Sequence, residues 1–226
     1  YILYDADIIE NPELISFDSK VWAERSSIIG FAEGRGTTFF VEYSGLSLVL
    51  RHYMRGGLIA RWFSDQYIWL GLEYTRAWRE WHILSYMHDL GLPVPAPVAA
   101  QVKRQGLSYT ADIMTQRIND SHTLADELQQ HALAEGHWVA LGATIRRFHQ
   151  KGIYHADLNA NNVMLDTGGR FYLIDFDRGA VKKIRKHWQV ENLQRLKRSL
   201  EKLKSKNPIF YFSEQEWFCL LKGYSD

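Results

Sequence analysis

The sequence predicts an α+β fold in two lobes, an antiparallel-sheet lobe followed by a mainly helical one, and three observations lead there. Strand-like runs crowd the first half and helical periodicity fills the second. Between them the stretch Gly91-Leu92-Pro93-Val94-Pro95-Ala96-Pro97 ends a helical pattern with glycine and spaces three prolines that forbid helix, so it reads as an extended connector. The third is a short apolar hairpin deep in the second half, bordered on both sides by Asp and Asn. The expected division is 1–115 and 116–226, with a hinge near Thr115 to Ile118.

Composition removes several classes. A chain of 226 residues with 46% hydrophobic and 23% charged content can bury a core and is far from the signature of disorder. A lone Cys219 can form neither an internal disulfide nor a cysteine zinc site, which favours a reducing compartment and an inert, buried thiol. No run reaches the roughly 18 apolar residues of a membrane span, and Tyr1 to Glu10 lacks the order of a signal peptide. There is no internal repeat. Lys and Arg number 27 against 26 Asp and Glu, so the net charge of +1 carries no instruction and the distribution must.

The elements follow in order. Thr37 to Tyr43 and Leu46 to His52 read as strands joined by the two-residue turn Ser44-Gly45. In the second, Leu46, Leu48 and Leu50 face one way and Ser47, Val49 and Arg51 the other. From Thr75 to Leu90, Ala77, Glu80, Trp81, Leu84 and Met87 share one helical face, which sets Glu80 among apolar neighbours. Val98 to Val102 and Tyr109 to Met114 are expected strands around a Lys103-Arg104-Gln105-Gly106 turn. Trp138, Leu141, Ile145 and Phe148 mark a helix stopped by Gly152. Val163 to Leu165 and Phe171 to Ile174 form a hairpin across Asp166-Thr167-Gly168-Gly169, and a basic helical region completes the chain.

The chemistry concentrates between His155 and Asp177. A hairpin returns the chain to its start, so Asn162, before the first strand, and Asp175, after the second, must end side by side, with Asp157 five residues upstream on the same loop. Two carboxylates and an amide, all hard oxygen donors, suit Mg²⁺ rather than zinc; taken singly, each is also an ordinary turn residue. Upstream, Gly34-Arg35-Gly36-Thr37-Thr38 precedes the first hairpin, a glycine pair of low specificity by itself. No P-loop pattern is present. Arg51 can clamp phosphates bidentately and can pair with Glu80, whose burial demands a partner; an ordinary structural ion pair is the plainer alternative.

His155-Ala156-Asp157-Leu158-Asn159-Ala160-Asn161-Asn162 resembles the catalytic loop of protein-kinase-like phosphotransferases, and Asp175-Phe176-Asp177 resembles their metal-binding D-F-G. With Leu50-Arg51-His52-Tyr53-Met54-Arg55-Gly56-Gly57-Leu58 and Leu173-Ile174-Asp175-Phe176-Asp177-Arg178-Gly179, nearly the whole chain is similar to the Kdo kinases, bacterial relatives of the lipopolysaccharide heptose kinases. The resemblance implies a two-lobed protein-kinase-like fold and transfer of the ATP γ-phosphate to the 4-hydroxyl of a 3-deoxy-D-manno-octulosonic acid (Kdo) residue on a lipid A precursor, at the cytoplasmic face of the inner membrane. It implies Asp157 as the residue that orients and deprotonates the acceptor. Asn162 and Asp175 become ligands of the metal, Mg²⁺, and Gly34, Gly36, Arg51, Glu80 and Thr115 belong to the nucleotide site. His155 is expected to brace the loop. Two departures stand out: Arg51 holds the usual lysine position, and Asn159 replaces the lysine that lies near the γ-phosphate, so a nearby arginine or a second metal must supply that charge. A heptose, small-molecule or protein kinase is the neighbouring alternative, although no A-P-E segment follows Asp177; an inactive nucleotide-binding scaffold is the alternative outside enzymes.

From Arg178 to Lys206 there are eleven Lys and Arg against Glu191 and Glu201. Such a segment attracts lipid phosphates, an anionic membrane surface or nucleic acid, or is a solvated helix face; without an RNA-binding motif, nucleic acid is not the expected partner. Leu193, Leu196, Leu200 and Leu203 give it an apolar stripe and leave the basic face free. Tyr53 to Tyr86 carries nine aromatics among Arg55, Arg61, Arg76 and Arg79, a pattern of core stripes or of a membrane interface, with core favoured.

Overall fold

Ser44 and Gly45 adopt φ of 50° and 79°, the left-handed pair that matches strand twist in a tight hairpin. They join β3 (Thr38–Tyr43) to β4 (Leu46–His52), with Tyr43 opposite Leu46 and Thr38 opposite Arg51. The computed structural model describes residues 1–32, 38–54 and 65–225, which divide into two units. The first comprises Tyr1–Tyr86 and Pro95–Arg117; the second comprises Met87–Val94 and the chain from Ile118 onward.

The first unit is built on one antiparallel sheet. Its order is β1 (Ile2–Tyr4), β6 (Pro97–Gln105), β7 (Ser108–Gln116), β4, β3 and β2 (Ile28–Ala32), with β5 (Tyr67–Ile68) added to β7. Alternation along β4 sorts its side chains. Leu48 and Leu50 enter a core with Ile9, Ile15, Trp22, Val41 and Met114, while Arg51 belongs to the opposite face and reaches Glu80 of α2 (Arg76–Asp89). Trp22 is delivered by α1 (Ser19–Glu24), whose first turn is capped by Asp18 accepting from the Lys20 N–H at 2.9 Å.

Two expectations need correction here. The strands expected to end at Val102 and Met114 continue, so the turn is Gly106-Leu107 and not 103–106; Lys103 pairs with Thr110 and Arg104 with Tyr109. Exposed basic side chains do not interrupt a ladder, since only the backbone must pair. Of the expected hinge, Thr115 and Gln116 belong to β7, with Thr115 opposite both Val49 and Pro97, while the two units separate after Arg117, inside the expected Thr115 to Ile118.

The second unit holds α3 (Leu124–Gln130), α4 (Glu135–Gln150), α5 (Lys186–Lys206) and α6 (Glu214–Ser225). Beside them lie a three-stranded sheet ordered β11 (Phe171–Leu173), β10 (Val163–Asp166), β8 (Ser121–Thr123), and a pair formed by β9 (Ile153–Tyr154) and β12 (Ala180–Val181). The helical spacing of Trp138, Leu141, Ile145 and Phe148 is a buried face of α4. Where α4 meets α6 the backbones touch. A Cβ on Gly142 would lie 2.0 Å from the Leu220 carbonyl oxygen, and one on Gly223 the same distance from that of Val139. Gly152, at φ 73°, ends α4 with its N–H on the His149 carbonyl, and it too has no room for a Cβ, with the Lys182 carbonyl 2.5 Å away.

Leu193, Leu196 and Leu200 are buried along α5, and most basic residues from 178 to 206 are exposed. The face is not wholly free: Lys197 bonds Glu214 at 2.8 Å and lies over the Trp217 ring. The aromatic segment is mixed rather than core throughout, since Tyr53 is buried, Trp69, Trp78 and Trp81 are half-buried, and Tyr74 and Tyr86 are exposed. Gly34, Gly36, Arg55, Arg61, Trp62 and Phe63 lie outside the described residues. Cys219 is buried and unpaired with another cysteine. Among the described residues no helix is long and apolar enough to cross a membrane.

Gly142→Ala is expected to destabilise the second unit by about 1–3 kcal/mol through overpacking against backbone, read as a lowered urea midpoint. Gly136→Ala, on the same helix with nothing within 4 Å of its Cβ position, is expected to show no loss.

Candidate active site

His155 is the residue about which the loop is organised. It is buried, and its ring bonds on both sides: the Asp157 backbone N–H donates to Nδ1 at 3.1 Å, so Nε2 carries the proton and donates to the Ile174 carbonyl at 2.9 Å. Both bonds require one neutral tautomer, and burial pushes the imidazole pKa below its ordinary 6.5 in agreement. The Phe176 ring lies 4.5 Å from the His155 ring and stacks on Phe148 at 6.0 Å. This loop-bracing role is the one expected of His155.

The backbone around His155 is held from α5. Asn192, fully buried in that helix, accepts from the His155 N–H at 3.2 Å and donates to the His155 carbonyl at 3.0 Å. Two turns further on, Ser199 accepts from the Ala160 N–H at 3.2 Å. Between them Arg195 places Nη1 3.9 Å from Asp157 Oδ1. Residues 192, 195 and 199 fall on one helical face, so a single helix holds the loop at His155 and Ala160 and presents a cation to the carboxylate between. Sequence reasoning counted Arg195 only as part of a charge run and missed Asn192 and Ser199. The available signal was polar residues at helical spacing beside a leucine stripe.

Within the loop, Asn159 turns its side chain to the chain itself, donating to the Asp157 carbonyl at 3.0 Å and accepting from the Asn161 N–H at 2.9 Å. Asn162 donates its amide to the same Asp157 carbonyl at 2.9 Å, which leaves its side-chain oxygen as the atom suited to a metal. The hairpin does what its length implies. Val163 faces Leu173, and the Ile174 N–H donates to the Asn162 carbonyl at 3.0 Å, bringing the residues before β10 and after β11 together. Asp175 follows at φ 63°, a left-handed conformation that a non-glycine residue adopts at a cost. Phe176 is buried, and the Gly179 N–H closes a turn on its carbonyl at 2.7 Å; a Cβ on Gly179 would strike the Phe176 ring. Asp157 and Asp175 themselves are exposed. Among the described residues no three His, Cys, Asp or Glu converge as a metal cluster; a metal bound here would have Asn162, Asp175 and ligand oxygens to draw on, the sparse oxygen set that Mg²⁺ tolerates.

In the first unit the Arg51 guanidinium meets both Glu80 carboxylate oxygens at 2.6 Å, and Tyr53 donates to Glu80 Oε2 at 2.5 Å. Glu80 is only 2% exposed; a carboxylate there needs that cation. Arg51 and Arg76 both lie over the Tyr53 ring with the guanidinium carbon 5.0 Å from its centroid. Burial, with the Glu80 charge beside it, raises the Tyr53 pKa well above 10, so its hydroxyl stays a donor.

An Asp-bearing loop braced by a buried histidine, an Asn and an Asp brought together across a short hairpin, and a basic strand residue paired to a helical glutamate define a protein-kinase-like phosphotransferase acting on a hydroxyl group. Comparison with known proteins carries this to a family. The description "Lipopolysaccharide kinase (Kdo/WaaP) family" matches residues 19–224, and the chain belongs to that family. It is 37% identical over 223 residues to a 3-deoxy-D-manno-octulosonic acid kinase of Vibrio vulnificus, covering 99% of this chain and 94% of the relative. Similar proteins of the same name occur in Photobacterium profundum, 39% identical with the same coverage, and in Haemophilus influenzae, 38% identical over 99% of this chain and 95% of the relative.

A second buried imidazole sets a pH dependence. His149 packs edge-on against Trp188 and Tyr224, accepts from or donates to the Tyr224 hydroxyl at 2.8 Å, and burial lowers its pKa from 6.5 to about 4. Between those values the unfolded chain binds a proton that the folded chain does not, so stability is lost as pH falls from 6.5 towards 4, approaching about 1.4 kcal/mol per pH unit for this group. Urea midpoints are expected to be lower at pH 5 than at pH 7, and His149→Phe is expected to flatten that dependence.

Proposed function

We propose that this phosphotransferase moves the γ-phosphate of ATP to the 4-hydroxyl of a Kdo residue on a lipid A precursor, in lipopolysaccharide core assembly. The observation that carries the reading is the braced 155–162 loop and its hairpin, in a chain whose relatives named Kdo kinases align across nearly its full length. Asp157 accepts the hydroxyl proton as the oxygen attacks phosphorus and ADP departs. Asn162 and Asp175 would hold Mg²⁺, which when bound neutralises charge on the phosphate oxygens. In the first unit Arg51, held by Glu80, offers its guanidinium to nucleotide phosphates, and Gly34, Gly36 and Thr115 are assigned to the same nucleotide. The exposed basic residues of 178–206 favour an anionic surface, consistent with a peripheral enzyme at the cytoplasmic face of the inner membrane, where this acceptor is lipid-anchored. Nucleic acid has no part in this reading.

With purified protein, detergent and labelled ATP, label is expected on a Kdo-bearing lipid acceptor in preference to a heptosylated acceptor or a generic protein; no transfer to the Kdo acceptor would sink the proposal. Asp157→Asn is expected to lower kcat by on the order of 10²–10⁴-fold while ATP binding persists. For the membrane, flotation with phosphatidylglycerol vesicles is expected at low salt, weakening with added salt and on Lys182→Glu with Lys183→Glu. Equal binding to neutral vesicles would contradict that contact.

A further inference from the structure

Asn159 stands where the catalytic loop of protein kinases, which this loop resembles, has a lysine, and the geometry shows what Asn159 does instead: both ends of its amide are spent on the backbone of its own loop, at Asp157 and Asn161. It also carries no charge. The proposed reaction concentrates negative charge where the acceptor oxygen, the phosphoryl oxygens and the Asp157 carboxylate meet, and a cation aimed at that point lowers the barrier. Among the described residues, the cation recorded beside Asp157 is Arg195, at 3.9 Å.

Three observations distinguish this arginine from its basic neighbours. Its backbone is fixed: Asn192 and Ser199, flanking it on the same face of α5, hold His155 and Ala160, so the helix cannot slide relative to the loop without breaking buried hydrogen bonds. Its head is accessible, with side-chain exposures of 45% for Arg195 and 59% for Asp157, and a pair so exposed contributes little to stability. Lys197, by contrast, is spent on Glu214. A guanidinium that contributes little to the fold yet is positioned from two sides is available to a ligand, and its planar donors match phosphoryl oxygens.

We propose that Arg195 is a catalytic residue that binds the transferred phosphoryl group beside Asp157, supplying from α5 the charge that Asn159 does not supply from the loop. Arg195 neither gives nor takes a proton. The acceptor O–H bond breaks with its proton going to Asp157, the new O–P bond forms, and the bond to ADP breaks while the guanidinium holds the phosphoryl oxygens. The inference rests on Asp157 as the acceptor-side carboxylate, and does not depend on which sugar bears the hydroxyl.

The test uses the intact protein and whichever acceptor it phosphorylates. Arg195→Ala is expected to lower kcat by on the order of 10²–10³-fold, with KM for ATP and acceptor within about threefold and an unchanged urea midpoint. Arg195→Lys is expected to fall between, and added guanidinium ion to restore part of the Arg195→Ala rate, which a purely structural role would not allow. Wild-type kcat in Arg195→Ala overturns the proposal. So does a loss confined to acceptor KM, which would put the guanidinium on the acceptor, and so does a lowered midpoint without rescue. Asp157→Asn run in parallel separates the two readings: activity retained there overturns the loop's assignment, while activity lost there with Arg195→Ala unaffected overturns only the role of Arg195.

Discussion

The second unit depends on one buried imidazole with a single acceptable protonation state. His155 must accept from the Asp157 N–H and donate to the Ile174 carbonyl, and only the neutral ring with its proton on Nε2 can do both. That requirement couples the loop carrying Asp157 to the strand end preceding Asp175. Asn192 extends the coupling to α5 by satisfying the backbone donor and acceptor of the same histidine, groups that would otherwise be buried without partners. Phe176, packed between Phe148 and His155, fixes the far side. Three chain segments distant in sequence thus share one set of hydrogen bonds. The backbone that carries the exposed carboxylates of Asp157 and Asp175 is held by what lies beneath it.

The first unit solves a different problem, that of a carboxylate out of water. Glu80 sits on the apolar face of α2, where its charge is tolerable only because Arg51 meets both oxygens and Tyr53 donates a third bond. A planar guanidinium meets a carboxylate at both oxygens, which a lysine ammonium, a point charge with three donors, does with less geometric control. The tyrosine adds a ring face over which both Arg51 and Arg76 lie. Replacing lysine by arginine on this strand is therefore accommodated by a surrounding cluster and not by the one residue.

Much of this was legible from residue order, for reasons that differ by element. The hairpin that unites Asn162 and Asp175 follows from two short apolar runs and a glycine turn, because an antiparallel pair must bring its ends together whatever surrounds it. The Arg51–Glu80 pair followed from two independent periodicities, strand alternation and helical spacing, each of which turned a charge inward. Strand ends were less legible. Lys103 and Arg104 read as loop because polar residues before a glycine mark a turn in sequence, and Thr115 as hinge because strand-like runs give way to helical ones beyond it, whereas the ladder continues wherever a neighbouring strand offers partners, as β7 does for 103 and 104 and β4 for 115.

By itself, the sequence determined the order and type of the principal elements, the loop and hairpin that hold the candidate base and metal ligands, and the resemblance to a kinase-like family, because these are encoded in local spacing and side-chain chemistry. Only the tertiary structure decided that α5 is the scaffold of the 155–162 loop, that Asn159 is consumed by its own backbone, and that Arg195, one of a long basic run, stands beside Asp157. The α5 contacts join residues 37 to 39 positions apart, and no periodicity within either segment reports which face of a helix will meet which peptide group. Net charge and composition are sums along a chain; catalysis depends on where in space one of those charges is placed.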